Sequence, residues 1–507
     1  MKIKKKIFAI VLCLSMTISL VTNVFANNDH IDSEFFDGFT SSVSSEFVIP
    51  GLTTAELENI CAYVNGDLYI HNELIEEIQH CGTEATLWIN YYYDNHLKQK
   101  SIPAYLSEAY KTVNSKADVE IRSYYNTTSY VDSESGRFRV FYNEAPQSTD
   151  IVGIANFVAI IFDAVDYYLC DYYGFNRPTT NGSQYHISII NSTSGGAGNT
   201  PYLSNNRSRI NLAYDYIQGF YYNADDAYLL GMAIHEYMHA ILFSYGIMTG
   251  SPEDIWFHES LAQASAIEYE ITFANASNVC DHISTFISSL QYSMGSLDTV
   301  SIKYGGAVFH LFLFEDYDEW FTIAEALENR NPSLSMLSNI NNFLVSEYNS
   351  SLASAYIHFL YYCTNPDVNF ESSPTNRMFS GARTWGRPMC VANYNVGSTN
   401  TSFTGAGVLP CLAAHYIKLT PNTYLNKTVT ITVNYSSISG NAIPSGAYSL
   451  HQTSNGTYLY SGNAVINNVY TDWCTVNMLN NGELYFIIAN AGTTGNFDYS
   501  YTITISN

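Results

Sequence analysis

The sequence predicts an α+β protein, in which a mixed region of strands and helices over residues 136–375 is followed by an antiparallel β-sandwich over residues 376–507. In the first region, segments with apolar residues at helical spacing alternate with short segments of period two. In the second region, short alternating runs are separated by Gly, Asn, Pro and Ser, which is typical of an antiparallel sandwich. The length of 507 residues is sufficient for several domains.

Residues 1–26 have the features of a secretory signal. A lysine-rich start precedes an apolar run, and the segment ends in Val24-Phe25-Ala26. A membrane anchor is the alternative, but the uninterrupted apolar part is short for a spanning helix. We therefore expect cleavage after Ala26, a secreted extracellular protein and no stable insertion into the membrane. Residues 27–135 have no assignable role, and a removed pro-segment and a supporting region both fit.

Charge and cysteine content restrict the classes of partner. The chain has 46 acidic and 21 basic residues and a net charge of −25, so nucleic acid is not an expected partner, because binding phosphates requires a basic face. Eight cysteines follow the signal, none in a C-x-x-C pair. The pairs Cys61/Cys81 and Cys390/Cys411 are close enough in sequence for local disulfides, although the connectivity of eight cysteines cannot be deduced.

The elements of the mixed region follow in order along the chain. We expect strands at 137–142, 185–190 and 208–216, a helix at 155–174 and a glycine-rich loop at 194–206. A longer helix follows, with Asn223 as its cap and Gly246 at its end, and another begins at Ser251-Pro252. Residues 267 to about 370 have mainly helical patterns, including 304–317 and 350–363.

The segment AIHEYMHAIL, residues 233–242, places three polar side chains in an apolar helix. His235 and His239 are four residues apart, so they share a helix face on which both imidazoles can bind one ion. Glu236 lies about 100° away around the helix, where a carboxylate can act on a water beside the ion. Buried polar groups without partners cost about 1 to 3 kcal/mol each, which argues against a purely structural role for this set.

Two histidines leave a zinc ion short of one protein ligand, and Glu259 is the candidate for that position. It follows His239 after nineteen residues, on the next predicted helix. Two histidines and one glutamate with an open position form a catalytic zinc site. The sequence thus predicts Zn²⁺ as the cofactor, with His235, His239 and Glu259 as its ligands.

The pair of motifs HEYMH (235–239) and WFHESLA (256–262) resembles the gluzincin zinc metallopeptidases, the group of thermolysin and the zinc aminopeptidases. The resemblance implies a gluzincin-type domain over 136–375, with a small mixed sheet, an active-site helix and a helical subdomain. It also implies that Glu236 is the general base and that strand 208–216 is an edge strand that binds an extended substrate.

For the oxyanion, the resemblance offers Tyr304, in a segment similar to the aminopeptidase Y-x-x-G, or His310 as in thermolysin. His258 stands where the aminopeptidases commonly have Asn. It either supports a metal ligand or is a polar residue with no role at the metal.

The expected function is that of a secreted zinc metallopeptidase that cleaves proteins or peptides. A Gly-x-Met-Glu-Asn segment, which anchors the substrate amine in the aminopeptidases, is not apparent, and this favours an endopeptidase. The alternative is a secreted adhesin or glycan-binding protein with a vestigial zinc site, in which the sandwich contacts surfaces or glycans. Serine or cysteine hydrolase chemistry lacks a supporting motif.

Overall fold

The structure, a computed structural model, confirms the α+β class. It describes residues 54–64, 88–89, 91–93, 102–112, 129–146, 150–191, 197–223, 226–247, 252–269, 281–292, 304–317, 320–364, 387–397, 399–421, 425–452, 457–461, 468–478, 482–492 and 495–506. The signal segment 1–26 and Cys81 lie outside the described residues.

The described residues include ten α-helices and sixteen strands with the following bounds. The helices are α1 Thr54–Val64, α2 Ile151–Asp166, α3 Tyr214–Asn223, α4 Asp226–Ser244, α5 Pro252–Tyr269, α6 Asp281–Ser288, α7 Ala307–Asp316, α8 Trp320–Glu328, α9 Met336–Tyr348 and α10 Leu352–Thr364. The first seven strands are β1 Tyr130–Asp132, β2 Phe138–Glu144, β3 Tyr185–Ile190, β4 Gly198–Asn199, β5 Tyr202–Ser204, β6 Arg207–Ser208 and β7 Ile210–Ala213. The others are β8 Cys390–Val396, β9 Thr401–Pro410, β10 Ala413–Pro421, β11 Leu425–Ser436, β12 Pro444–Gln452, β13 Thr457–Ser461, β14 Val469–Met478, β15 Glu483–Asn490 and β16 Asn496–Ser506.

The mixed region is built on a five-stranded sheet with the strand order β1-β2-β3-β7-β4. The three central strands are parallel, whereas β1 and β4 pair antiparallel at the two edges. Because β1 begins at Tyr130, this sheet starts before the boundary expected at residue 136. Strands β2 and β3 lie close to the positions expected from the sequence.

The predicted edge strand 208–216 is wrong. β7 covers only 210–213 and is paired on both sides, with β3 and with β4. All four of its residues are buried, as in a central strand rather than an edge strand. From Tyr214 the chain is helical, and Asn223 ends α3 instead of capping α4. The edge is β4, which lies inside the segment that was expected to be a loop.

Helix α2 packs against strands β1 and β2 of the sheet and against α4. By length and apolar character, Ile151–Tyr172 is the one helix among the described residues that could cross a membrane, but most of it is buried in this protein. Its last turns, Tyr167–Tyr172, widen into a π-helix before Gly174, which has a left-handed φ of 78°.

A buried carboxylate at the end of α2 fixes the back of α4. Asp166 is 1 % exposed and accepts a hydrogen bond of 2.7 Å from the hydroxyl of Tyr237. Arg137 and Arg177 form ion pairs with the same carboxylate, which compensates its buried charge. Tyr237 follows Glu236 directly in the chain, so this network holds the segment that carries the motif.

The C-terminal region contains two facing sheets. One has the order β13-β12-β15-β10-β8 and the other β14-β11-β16-β9. Side chains from both sheets, such as Phe486 and Ile503, form a separate apolar core between them. The expected β-sandwich is therefore present in the described residues, but it is not wholly antiparallel as expected, because β8 pairs with β10 in parallel.

The sandwich is joined to the helical region by a buried contact. The hydroxyl of Tyr416, on β10, donates to the carbonyl of Leu360 on α10 at 3.0 Å. Thr364 donates to the hydroxyl of Ser449, on β12, at 3.0 Å. Every residue of β15 after Glu483 is buried, because one face of its sheet packs on the helices and the other on the second sheet. The change from helical to strand patterns near residue 375 therefore does not separate two independently packed regions, because the sandwich and the helices share a buried contact.

The expected local disulfide between Cys390 and Cys411 is wrong, because Cys390 has a free thiol. Cys61 is also free and buried, in the same apolar core as the helices of the mixed region.

Candidate metal centre

Helices α4 and α5 pack along each other and carry the predicted ligands. α4 ends as expected: Gly246 has a φ of 72°, and the backbone N–H of Ile247 donates to the carbonyl of Leu242 at 3.1 Å. α5 begins at Pro252, as its start signals predict. The two helices are in extensive contact with each other.

His235, His239 and Glu259 come together into one buried group that can bind a metal ion. The Nε2 atoms of the two histidines are 3.1 Å apart. Oε2 of Glu259 lies 3.5 Å from Nε2 of His235 and 3.6 Å from Nε2 of His239. His239 and Glu259 are fully buried, and His235 is 9 % exposed.

The spacing of these three atoms fits zinc. The circle through them has a radius of about 2.0 Å, so an ion slightly above their plane reaches all three at the usual Zn–N and Zn–O distances of about 2.0–2.1 Å. Zinc bound by three protein ligands retains an open position. The donor set, two imidazoles and one carboxylate, also suits this ion.

The electrostatics of Glu259 favour a cation at the same point. Neither of its carboxylate oxygens has a hydrogen-bond partner within the described part of the chain, although the residue is fully buried. Burial raises the pKa of this carboxyl, but the neighbouring imidazoles of His239 and His235 outweigh burial and hold the pKa below its ordinary value. A buried carboxylate that is ionised and lacks donors requires a neighbouring positive charge.

Glu236 lies beside this group and is held by a residue that the sequence did not reveal. The hydroxyl of Thr200 lies 2.7 Å from Oε2 of Glu236 and 2.9 Å from its backbone carbonyl. Burial raises the pKa of Glu236, while the charges of His235 and His239 and the Thr200 hydroxyl act to lower it. A Cβ atom on Gly198 would lie 2.9 Å from Cγ of Glu236, so the glycine allows β4 to approach the carboxylate.

Of the two oxyanion candidates, Tyr304 lies at the metal centre. Its ring stacks against the imidazole of His235, with 5.9 Å between centroids and 29° between planes. The residue is 5 % exposed. Tyr304 therefore lies directly beside one of the ligands.

His310 has a different environment. Its Nε2 is 2.8 Å from the hydroxyl of Ser260, and its ring stacks on Trp256 at 5.4 Å and meets Phe257 edge-on. It is fully buried, and burial lowers its pKa to about 3. These contacts indicate packing between α5 and α7 and give no support to the oxyanion role expected from the sequence.

His258 contacts the candidate ligand His239 on the side away from Glu259. Its Nδ1 is 3.3 Å from Nδ1 of His239, and its Nε2 is bonded to the backbone carbonyl of Ile247. Burial, together with the nearby His239, lowers its pKa to about 3. Of the two roles that the sequence leaves open for His258, these contacts favour support of the candidate ligand His239.

No family model and no curated protein matches this chain. Among solved structures, the lysozyme inhibitor PliG of Aeromonas hydrophila is 10 % identical, with 23 % of this chain and 98 % of that chain covered and a TM-score of 0.15. PliG of Salmonella Typhimurium is 15 % identical over the same shares, with a TM-score of 0.14. A family GH115 4-O-methyl-α-glucuronidase is 9 % identical over 66 % of this chain and 54 % of its own, with a TM-score of 0.13. Similarities this weak carry no argument on function.

Proposed function

We propose that this protein is a secreted, gluzincin-type zinc metallopeptidase that hydrolyses peptide bonds within extracellular proteins. The observation that carries the proposal is the position of Glu236, a buried carboxylate next to a three-ligand group whose spacing fits zinc. A structural zinc site usually has four protein ligands, whereas a carboxylate beside a site with three ligands can act as a base on a metal-bound water.

His235, His239 and Glu259 would hold the ion. Bound zinc would supply Lewis acidity, which makes a water more acidic and polarises the scissile carbonyl. Glu236 accepts a proton from this water as its oxygen attacks the carbonyl carbon. The same carboxyl then gives the proton to the nitrogen as the C–N bond breaks, so a free amine and a carboxylic acid are produced.

Two further groups act on the substrate. We assign stabilisation of the developing oxyanion to the hydroxyl of Tyr304, because its ring stacks beside His235. Strand β4 replaces 208–216 as the binding edge for an extended substrate, because it lies at the end of the sheet and contacts Glu236 through Gly198.

The partner is a protein or peptide in the extracellular space. The predicted signal over 1–26 supports secretion. The missing Gly-x-Met-Glu-Asn segment supports internal cleavage, and the acidic composition argues against nucleic acid as a partner.

The test uses the full secreted chain, a denatured protein as substrate and the variant Glu236→Gln. The wild type is expected to release peptides, to lose activity with a chelator and to recover it with zinc. Glu236→Gln is expected to bind zinc as tightly as the wild type but to cleave about 10²- to 10⁴-fold more slowly, which is the usual contribution of a general base. Equal cleavage by this variant would refute the assignment of the base. Absence of cleavage under all conditions, with binding to glycans, would instead support an adhesin with a vestigial site.

A further inference from the structure

His258 is a buried histidine that connects the end of one helix to a metal ligand on the same helix. It precedes Glu259 on α5 and is fully buried. One ring nitrogen faces His239 and the other faces the carbonyl of Ile247. Its ring lies nearly parallel to that of His239, with 5.6 Å between centroids and 21° between planes.

The protons in this chain of hydrogen bonds have one consistent arrangement. A backbone carbonyl only accepts, so Nε2 of His258 carries a proton and donates it to Ile247. Nδ1 of a neutral His258 is then an acceptor, and the proton between the two rings belongs to Nδ1 of His239. His239 consequently has an unprotonated Nε2, which is the atom that faces His235 and Glu259.

The acceptor that begins this chain is fixed by the end of α4. Gly246 takes a left-handed conformation that few other residues adopt, and the N–H of Ile247 bonds back to Leu242. The ring of Phe243, also on α4, packs against His258 at 5.0 Å. The cap of α4 thus sets the direction of the Ile247 carbonyl.

We propose that His258 is a positioning residue that fixes the metal-binding tautomer of His239 by relaying a hydrogen bond from the Ile247 carbonyl. The inference rests on the proposed zinc site. A metal-bound histidine commonly donates its second N–H to a carboxylate, a carbonyl or water. Here a second histidine takes that place, and it can accept only because its other nitrogen is bonded to a backbone group.

Zinc affinity is the first test, measured by competition with a chelating dye on the full-length chain. His258→Phe keeps a ring of similar size but removes both hydrogen bonds, and we expect zinc to bind roughly 10- to 100-fold more weakly, as is usual when such a partner is lost. His258→Asn retains an acceptor and a donor and is expected to stay within about threefold of the wild type. His415→Phe removes a part-buried histidine of the sandwich and serves as the control, with unchanged affinity.

The outcomes separate the two proposals. A wild-type chain with no affinity for zinc would overturn the metallopeptidase itself and the relay with it. Tight binding by the wild type, matched within about twofold by His258→Phe, would overturn the relay alone.

The tautomers give a second test that does not depend on a variant that folds. In the zinc-loaded wild type labelled with ¹⁵N-histidine, NMR is expected to show a proton on Nδ1 of His239 and on Nε2 of His258. A proton on Nδ1 of His258 would overturn the relay, because that nitrogen could no longer accept from His239.

Discussion

The contact between Thr200 and Glu236 permits a quantitative prediction for Thr200→Val. Valine has nearly the same shape but lacks the hydroxyl, which lies 2.7 Å from Oε2 of Glu236 in a fully buried site. A hydrogen bond to a charged group contributes about 1.5–3 kcal/mol. If the bond holds the carboxylate in its reactive orientation, its loss lowers kcat by roughly 10- to 150-fold, since 1.4 kcal/mol corresponds to tenfold.

The assay is steady-state cleavage of a fluorogenic peptide, with kcat and KM determined separately and bound zinc measured in the same preparation. Thr200 bonds to Glu236, which is not one of the three residues that would hold zinc, so KM and zinc content are expected to stay unchanged. Thr200→Ser keeps the hydroxyl and is expected to retain most of the activity. A kcat within twofold of the wild type for Thr200→Val, or a loss of kcat that parallels a loss of zinc, would show that the Thr200 hydroxyl does not orient the Glu236 carboxylate.

Three further predictions concern stability, measured by urea unfolding. Leu360→Ala empties a fully buried site at the contact with the sandwich and is expected to cost about 2–5 kcal/mol in one cooperative transition; separate unfolding of the sandwich at an unchanged midpoint would contradict this. Tyr237→Phe removes the hydrogen bond to Asp166 and is expected to cost about 2 kcal/mol, and an unchanged midpoint would show that the network does not hold α4. Burial lowers the pKa of His415 to about 4, so below the unfolded value of about 6.5 only the unfolded chain gains this proton, and the free energy of unfolding falls by up to about 3 kcal/mol between these pH values. His415→Phe is expected to reduce that dependence by one proton, and an identical pH profile would rule out this histidine as a source.

The candidate metal-binding residues could be predicted because they depend on local patterns. His235 and His239 share a face through helix periodicity alone, and Glu259 lies on the next helix along the chain. Thr200 could not be found this way, because its contact with Glu236 joins positions 36 apart along the chain and depends on sheet order.

The strands were harder to predict than the helices. The apolar alternation of 208–216 fits a strand, but it does not distinguish an edge strand from a central one, and the helix that starts at Tyr214 has a similar pattern. In the sandwich, the alternating runs at 415–419, 428–435, 448–452, 456–462, 482–490 and 497–506 predict six strands, and β8, β9 and β14 are not among them. β9 contains Gly405 and Gly407, where the small residues make room for the rings of Tyr501 and Tyr499 across the sheet, a reason that is visible only in three dimensions.

The proposed peptidase activity depends on a single ion held by α4 and α5. The most direct measurement is the zinc content of the purified full-length chain and of His239→Ala, determined by elemental analysis after removal of loosely bound metal. We predict one zinc ion per chain in the wild type and none in the variant. A wild-type chain that binds no zinc, or a variant that binds it equally well, would show that His235, His239 and Glu259 do not form a zinc site.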